Sequence, residues 1–435
     1  MNPLTQNAQV VAQPVATLKP YANNPRKHSK AQVRQIAASI EAFGFTNPVL
    51  VDAEGTILAG HGRVEAAKLL KLAEVPTLRI DHLTEAQKKA YIIADNRLAE
   101  RSGWDDDILA IELQTLMTME APFDLTVTGF EMAEIDLKVQ GIDDPDMDGD
   151  DEQPEVSAQP VSRTGDRWLL GDHVLVCGDA LSPDAYGLLM NGEQARMVIT
   201  DPPYNVAIPG NVSGKGKVVH EDFAMASGEM TEVEFAAFLT TACGQMANNS
   251  SDGSIHFIFM DWRHIDTLLA AGKGVYTELK NLVVWNKDNG GMGHLYRSKH
   301  ELVAVFKHGT AGHVNNVALG RHGRYRTNVW NYPGVNTLRA GREEELAMHP
   351  TVKPVRLLAD AMMDCSDRGD LVLDPFAGSG STIIAAERTG RRARAIELEP
   401  KYVDVAIARW QALTGREAVH ADTGLTFDAT KQAKE

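Results

Sequence analysis

The sequence predicts an α/β protein built on a doubly wound parallel sheet and preceded by a smaller α+β module. Three observations predict this. From Thr164 onward, short apolar runs of strand composition alternate with helical patterns. One run, Leu371–Leu373, passes through Asp374-Pro375-Phe376-Ala377-Gly378-Ser379-Gly380 straight into a helical pattern. Before Gly141 the pattern changes to short strands about turns, interspersed with capped helices.

In the larger region the predicted strands are Met197–Thr200, Ser254–Met260, Leu282–Trp285, Leu302–Phe306, Leu371–Leu373 and Ala393–Ile396. Helices are predicted over Thr231–Met246, Pro354–Cys365, Ser381–Arg388 and Tyr402–Leu413, the first opened by a Thr231-x-x-Glu234 capping box. The first module runs from about Leu18, with its domain boundaries set at residues 14–140. A capping box at Ser29–Gln32 starts a helix with Val33, Ile36, Ala37, Ile40 and Phe43 on one face. Pro48–Asp52 and Thr56–Ala59 read as strands about a turn at Glu54-Gly55, followed by a helix from Arg63 to Leu70 and a strand over Thr77–Ile80. Thr84–Gln87 is a second capping box, and Asp105 caps a helix carrying Ile108, Ile111 and Leu116. Residues 141–163 are acidic, hold Pro145, Pro154 and Pro160, and read as a flexible linker.

Composition narrows the class. The apolar share is 43%, enough for a full core, yet no run of about 18 apolar residues suggests a membrane span. Met1–Val15 has neither a basic cluster nor a long apolar run, so a cytoplasmic protein is expected. Cys177, Cys243 and Cys365 are scattered and odd in number, which fits buried thiols in a reduced protein. No paired His or Cys has metal-ligand spacing, so no metal is expected. The formal net charge is −16, but it is unevenly spread. Asp143–Glu152 holds seven acids in ten residues, whereas Leu302–Arg342 has no Asp or Glu and carries Lys307, Arg321, Arg324, Arg326, Arg339 and Arg342. A local basic patch can contact phosphates on an otherwise acidic protein.

Two motifs carry chemistry. Asp201-Pro202-Pro203-Tyr204 directly follows an apolar strand. An exocyclic amine on a nucleobase is a poor nucleophile, because its lone pair is delocalised into the ring. A carboxylate at Asp201 and a carbonyl at Pro202, held by the fixed φ of the two prolines, can accept both amine hydrogens. Tyr204 offers a face for a flipped base. The second motif is the glycine loop, where Gly378 and Gly380 permit close approach and the helix start at Ser381-Thr382 favours a negative group. An acid after the next strand, Glu397, suits ribose hydroxyls. There is neither a three-glycine dinucleotide fingerprint nor a Walker lysine, so a nucleoside without pyrophosphate fits best.

Together these motifs resemble the DNA amino-methyltransferases over Gly165 to about Gly415. Gly165–Asp179 is similar to that family's lead-in, Arg297–Glu301 to a stretch before its last strand, and His349-Pro-Thr-Val-Lys-Pro354 to the segment ahead of its glycine loop. The tetrapeptide precedes the loop, which resembles the circularly permuted β group. The resemblance implies a Rossmann-like S-adenosylmethionine-dependent methyltransferase over residues 164–420, with a target-recognition segment at about 307–347. It implies catalytic roles for Asp201, Pro202, Pro203 and Tyr204. It assigns the cofactor to Asp179, Thr351, Lys353, Asp374, Pro375, Phe376, Gly378, Gly380, Thr382 and Glu397, and DNA contacts to Arg321, Arg324 and Arg326. The expected activity is site-specific methylation of adenine N6 in double-stranded DNA. Alternatives are N4-cytosine methylation, a non-catalytic DNA-binding regulator, and methylation of RNA or a protein amide. A homodimer is compatible with the β group, and a cognate restriction enzyme is left open.

The first module resembles the ParB-like nuclease domain through Asn24-Pro-Arg26, Ser39-Ile40, Phe43-Gly44, Gly60-His-Gly-Arg63, Val75-Pro76 and Ala94-Asp-Asn-Arg97. In partition proteins the equivalent boxes help to bind nucleotide phosphates. This chain has Gly-His-Gly-Arg without the usual Glu-Arg pair, and no helix-turn-helix half is evident. A docking or DNA-positioning role is therefore expected of it.

Overall fold

The computed structural model describes residues 9–100, 103–119, 123–140, 150–151, 154, 159–205, 228–288, 290, 295–317, 326–334 and 352–433. The chain divides into two compact units, Met1–Asp143 and Asp144–Glu435.

The first unit holds a four-stranded sheet of β1 (Val10–Pro14), β2 (Val49–Val51), β3 (Ile57–Ala59) and β4 (Glu74–Arg79), in the order β1-β4-β2-β3. β2 runs parallel to β4, and the other pairs are antiparallel. Val49, Val51, Ile57, Val64, Ala67 and Val75 form its buried cluster together with Val15 and Leu18. Ser29 caps α1 (Lys30–Phe43), its hydroxyl accepting from Gln32 N at 3.1 Å. α2 (His61–Leu69) starts at Gly60, whose φ of +99° belongs to the left-handed region. α3 (Glu85–Glu100), α4 (Asp106–Thr118) and α5 (Met132–Gln140) follow. β1 begins ahead of the boundary expected at residue 14. It is exposed along most of its length and has no alternation to read, so pairing with β4 alone defines it.

The second unit is a ten-stranded sheet of β5 (Arg167–Leu170), β6 (His173–Cys177), β7 (Ala195–Thr200), β8 (Ser250–Met260), β9 (Glu278–Asn286), β10 (His300–Lys307), β11 (Val329–Asn331), β12 (Leu371–Asp374), β13 (Arg392–Glu397) and β14 (Val419–His420). The order is β11-β9-β10-β8-β7-β12-β13-β6-β5-β14. The five central strands, β8 to β6, are mutually parallel. β10 is antiparallel to both β8 and β9, and β5 and β14 are antiparallel to their inner neighbours. The sheet is therefore mixed where a parallel one was expected, because an apolar run such as Leu302–Phe306 carries no mark of strand direction. The β5–β6 hairpin turns at Gly171-Asp172, with Gly171 at φ +58°. That turn was the available sequence signal for two strands the periodicity did not predict.

Helices α6 (Pro183–Met190), α7 (Glu232–Asn248), α8 (Ile265–Lys273), α9 (Val355–Cys365), α10 (Ser381–Thr389), α11 (Pro400–Thr414) and α12 (Phe427–Gln432) complete the unit. Alternate side chains of one strand enter different clusters: Met197 and Ile199 join Trp168, Phe257 and Ile383, while Val198 joins Phe235, Leu239 and Ile396. Both faces of the sheet are thus covered, as central parallel strands require. Phe427 is buried in the first of these clusters, which carries the unit beyond the expected end at residue 420. The predicted box at Thr231 is formed in both directions with Glu234, a cap contributing about 1 kcal/mol.

Within the stretch expected to be a flexible linker, several described residues are anchored instead. Asp150 accepts two 2.7 Å hydrogen bonds from Arg388, and Asp151 accepts from Val355 N at 2.9 Å. Val161 and Ser162 donate their amides to Asp404. Composition predicted solvation for these acids, because their partners, Arg388 and the Val355 amide, lie more than 200 residues away in sequence.

Candidate active site

β7 and β12 lie side by side, but the chain leaves them in opposite directions. From β7 it passes through α7 to β8, and from β12 through α10 to β13. This is a topological switch point, where the strand ends open into a crevice. Four predicted residues end four neighbouring strands there: Asp201 after β7, Asp374 on β12, Glu397 on β13 and Asp179 just past β6.

The glycine loop is tied to the tetrapeptide's strand through Asp374. Its carboxylate accepts from Thr200 Oγ1 at 2.6 Å, from Thr382 Oγ1 at 2.5 Å and from Phe376 N at 3.1 Å. Burial nevertheless raises its pKa to about 6. Glu397 accepts from the amides of Gly378 and Glu399, each at 2.8 Å, and burial, with Glu399 and Asp374 nearby, raises it to about 7. Gly178 N donates to Glu397 O, and Asp179 accepts from Leu181 N at 2.8 Å, so the third and fourth acids share one frame. Gly380 is left-handed at φ +82°, and a Cβ there would lie 2.6 Å from Ala406 Cβ on α11. Pro375 is buried, while Phe376 is half-buried and 5.8 Å from the Phe238 ring. Behind the loop, Arg409 of α11 donates to Ser379 O at 2.7 Å and to Asp150 O at 2.8 Å.

Asp201 is engaged on both oxygens, by Tyr204 Oη at 2.5 Å and by the Lys353 ammonium. Tyr204 Oη also lies 3.0 Å from Glu301, Lys353 lies 3.2 Å from Glu301, and Glu301 pairs in turn with Lys287. Pro202 is buried and Pro203 half-buried beside this network. Burial and the neighbouring Glu301 carboxylate push Asp201 above the ordinary range despite Lys353. Burial also opposes the charge on Glu301, but Lys353 and Lys287 overcome it and hold its pKa at about 2. Beyond the tetrapeptide, Asn205 accepts from Gly228 N and Met230 N and fixes the entry to α7.

Lys353, expected among the cofactor-binding residues, is thus placed against the tetrapeptide. Glu301, Lys287 and Asn205 were not predicted as site residues. Glu301 lies in a stretch already singled out, at the start of β10, but only the hairpin with β9 brings Lys287 to it. Arg326, expected to contact DNA, has partners within the unit. Its guanidinium donates to Asp364 at 3.1 Å and to Tyr332 Oη at 2.6 Å and lies over the Trp330 ring. A basic residue in an acid-free stretch reads as solvated only until acids from a distant helix, here α9, are brought to it. Arg321, Arg324 and Thr351 lie outside the described residues. In the first unit, Asn24, Arg26, His28, Gly60, His61, Arg63 and Asp95 line a separate cleft. No helix among the described residues is long and apolar enough to cross a membrane.

Residues 195–408 match the family described as DNA methylase, residues 107–164 the ParB-methyltransferase HTH domain, and residues 2–96 the ParB N-terminal domain. The second match corrects the expectation of no helix-turn-helix half. α4, a short turn at Leu125–Thr128 and α5 fall within it, and α5 is too short and too close to the acidic stretch to stand out by periodicity. The chain is 48% identical over 86 residues to the ParB-like nuclease domain-containing protein YnaK of Escherichia coli, covering 20% of this chain and 99% of that protein. It is 28% identical over 211 residues to the putative methylase YubD of the same organism, covering 48% and 79% of the two chains. It is 27% identical over 241 residues to the type II methyltransferase M2.DpnII of Streptococcus pneumoniae, covering 51% and 85%.

Proposed function

Because the chain belongs to the DNA methylase family and carries a ParB N-terminal domain, we propose that it transfers a methyl group from S-adenosylmethionine to adenine N6 in double-stranded DNA. The observation that carries this reading is the adjacency of β7 and β12, which puts the amine-accepting tetrapeptide and the glycine loop in one crevice.

The residues present fit that donor. A sulfonium and an ammonium are cations, and the strand ends offer a row of carboxylates. Glu397 receives the ribose hydroxyls, Asp179 the adenine ring, and the Asp374–Thr382 turn the methionine part. Pro375 and Phe376 form the apolar wall, and Gly378 and Gly380 let the backbone come close. Bound there, the cofactor supplies a methyl group activated for in-line displacement.

The chain's own residues position the acceptor. The target adenine is flipped from the duplex, and its N6 hydrogens are accepted by the Asp201 carboxylate and the Pro202 carbonyl, which turns the nitrogen lone pair toward the methyl. Pro203 stiffens the turn, and Tyr204 stacks on the ring, a contact worth about 1–3 kcal/mol. The proton leaves to solvent after transfer. Asp at position 201 supports adenine over cytosine. The test is to incubate the full chain with labelled S-adenosylmethionine and unmethylated DNA, then hydrolyse the DNA and analyse it by mass spectrometry. N6-methyladenine is expected. N4-methylcytosine would overturn the base assignment, and no labelled nucleoside from any DNA would overturn the transfer itself.

Cofactor affinity should depend on pH. Glu397, near 7, and Asp374, near 6, accept donors from the cofactor more strongly when ionised. Affinity measured by calorimetry should therefore rise from pH 5.5 to 7.5, by about tenfold or more. The free protein should move the other way. Both folded-state pKa values are raised, so their contribution to stability is full below about pH 4 and is lost as pH rises through 6 to 7. A flat affinity profile would contradict the role given to the two carboxylates.

A further inference from the structure

Both oxygens of Asp201 already have partners, so an incoming amine competes with them for the carboxylate. Lys353 is the stronger competitor, because its ammonium is buried, with only 6% of its side chain exposed. A buried ammonium cannot simply be stranded without a carboxylate. The only other carboxylate paired with it among the described residues is Glu301, at 3.2 Å. Glu301 is itself held in place by Lys287. The rings of Tyr204, Phe259 and Trp285 lie 5.2–5.9 Å from the same ammonium and give it cation-binding walls on the way. The four charges sum to zero whichever carboxylate Lys353 favours.

We propose that Glu301 is a positioning residue, the carboxylate to which Lys353 passes when the target amine engages Asp201. The inference rests on the methyl-transfer reading above. Glu301 touches neither the base nor the cofactor; it acts through Lys353. Without its charge, Lys353 stays on Asp201, and the amine must compete with a buried ion pair.

Glu301→Gln keeps the volume and removes the charge. In single-turnover assays on DNA the transfer rate should fall about a hundredfold, with the KM for DNA little changed. The acid limb of the rate profile should move to lower pH. The groups facing Asp201 are Lys353, Glu301, Tyr204 and Asp374, and loss of the Glu301 charge removes one of the influences that raise Asp201. Structural damage alone would lower the rate without moving that limb. In a Lys353→Met background the same substitution should change the rate less than about threefold, because the residue it acts through is gone. Glu301→Asp should restore part of the rate, and it carries the test alone if Glu301→Gln does not fold. In that case a wild-type rate for Glu301→Asp overturns the proposal and an intermediate rate supports it. A wild-type rate for Glu301→Gln, an unmoved acid limb, or a full loss that persists in the Lys353→Met background overturns it too. If the wild type transfers no methyl to DNA in the same assay, the methyl-transfer reading falls and the inference falls with it. If the wild type is active and the variants behave like it, only the inference falls.

Discussion

Asp201→Ala is expected to abolish methyl transfer, by at least about a thousandfold, while cofactor binding survives. The carboxylate is one of two acceptors for the target amine in the proposed mechanism, and water in its place would be neither oriented nor charged. The fold should tolerate the change. Lys353 keeps Glu301 as a carboxylate partner at 3.2 Å, so no buried ammonium is left unpaired. Single-turnover transfer to DNA, read beside calorimetric binding of S-adenosylmethionine, separates the two effects. Near-normal methylation by the variant would sink the mechanism, and loss of cofactor binding would show that Asp201 belongs to the cofactor side of the crevice.

Gly380→Ala should disable the glycine loop, the proposed cofactor site, by a different route. The position is left-handed, and an added Cβ meets Ala406 Cβ at 2.6 Å and its Cα at 3.1 Å. Ala406 is buried on α11, so neither partner can yield cheaply. A cost of about 1–3 kcal/mol in unfolding free energy is expected from strain and overpacking. Because the loop must shift, cofactor affinity should fall by more than about tenfold as well. Gly187→Ala is the control. It lies within α6, and its Cβ would meet nothing within 4 Å, so the substitution should be neutral or stabilising by about 0.5–1 kcal/mol. Equal denaturation midpoints for wild type and Gly380→Ala would refute the clash.

The elements that were legible share one property, a local signal. The capping boxes at Thr84 and Thr231 are formed by residues three apart and close in both directions, while at Ser29 only the hydroxyl half forms and Gln32 turns its side chain to His28. The strand–loop–helix at Leu371–Thr389 is also contiguous, and Gly378 and Gly380, read as points of close approach, take positive φ values. Less legible were features whose partner lies elsewhere. β1 and the β5–β6 hairpin needed neighbouring strands, and the antiparallel course of β10 follows from its pairing with β8 and β9. Arg326 looked like a surface base until Asp364 and Tyr332 closed on it.

The α/β class and the two motifs were readable in the chain alone, because each rests on residue types at short fixed spacing. The tertiary structure decided how the motifs meet. It set β7 beside β12 although the two strands are about 170 residues apart in the chain, aligned Asp201, Asp374, Glu397 and Asp179 along one sheet edge, and surrounded Lys353 with two carboxylates. Strand order and the pairing of buried charges depend on which distant segments pack together, and no local pattern of residues encodes that choice.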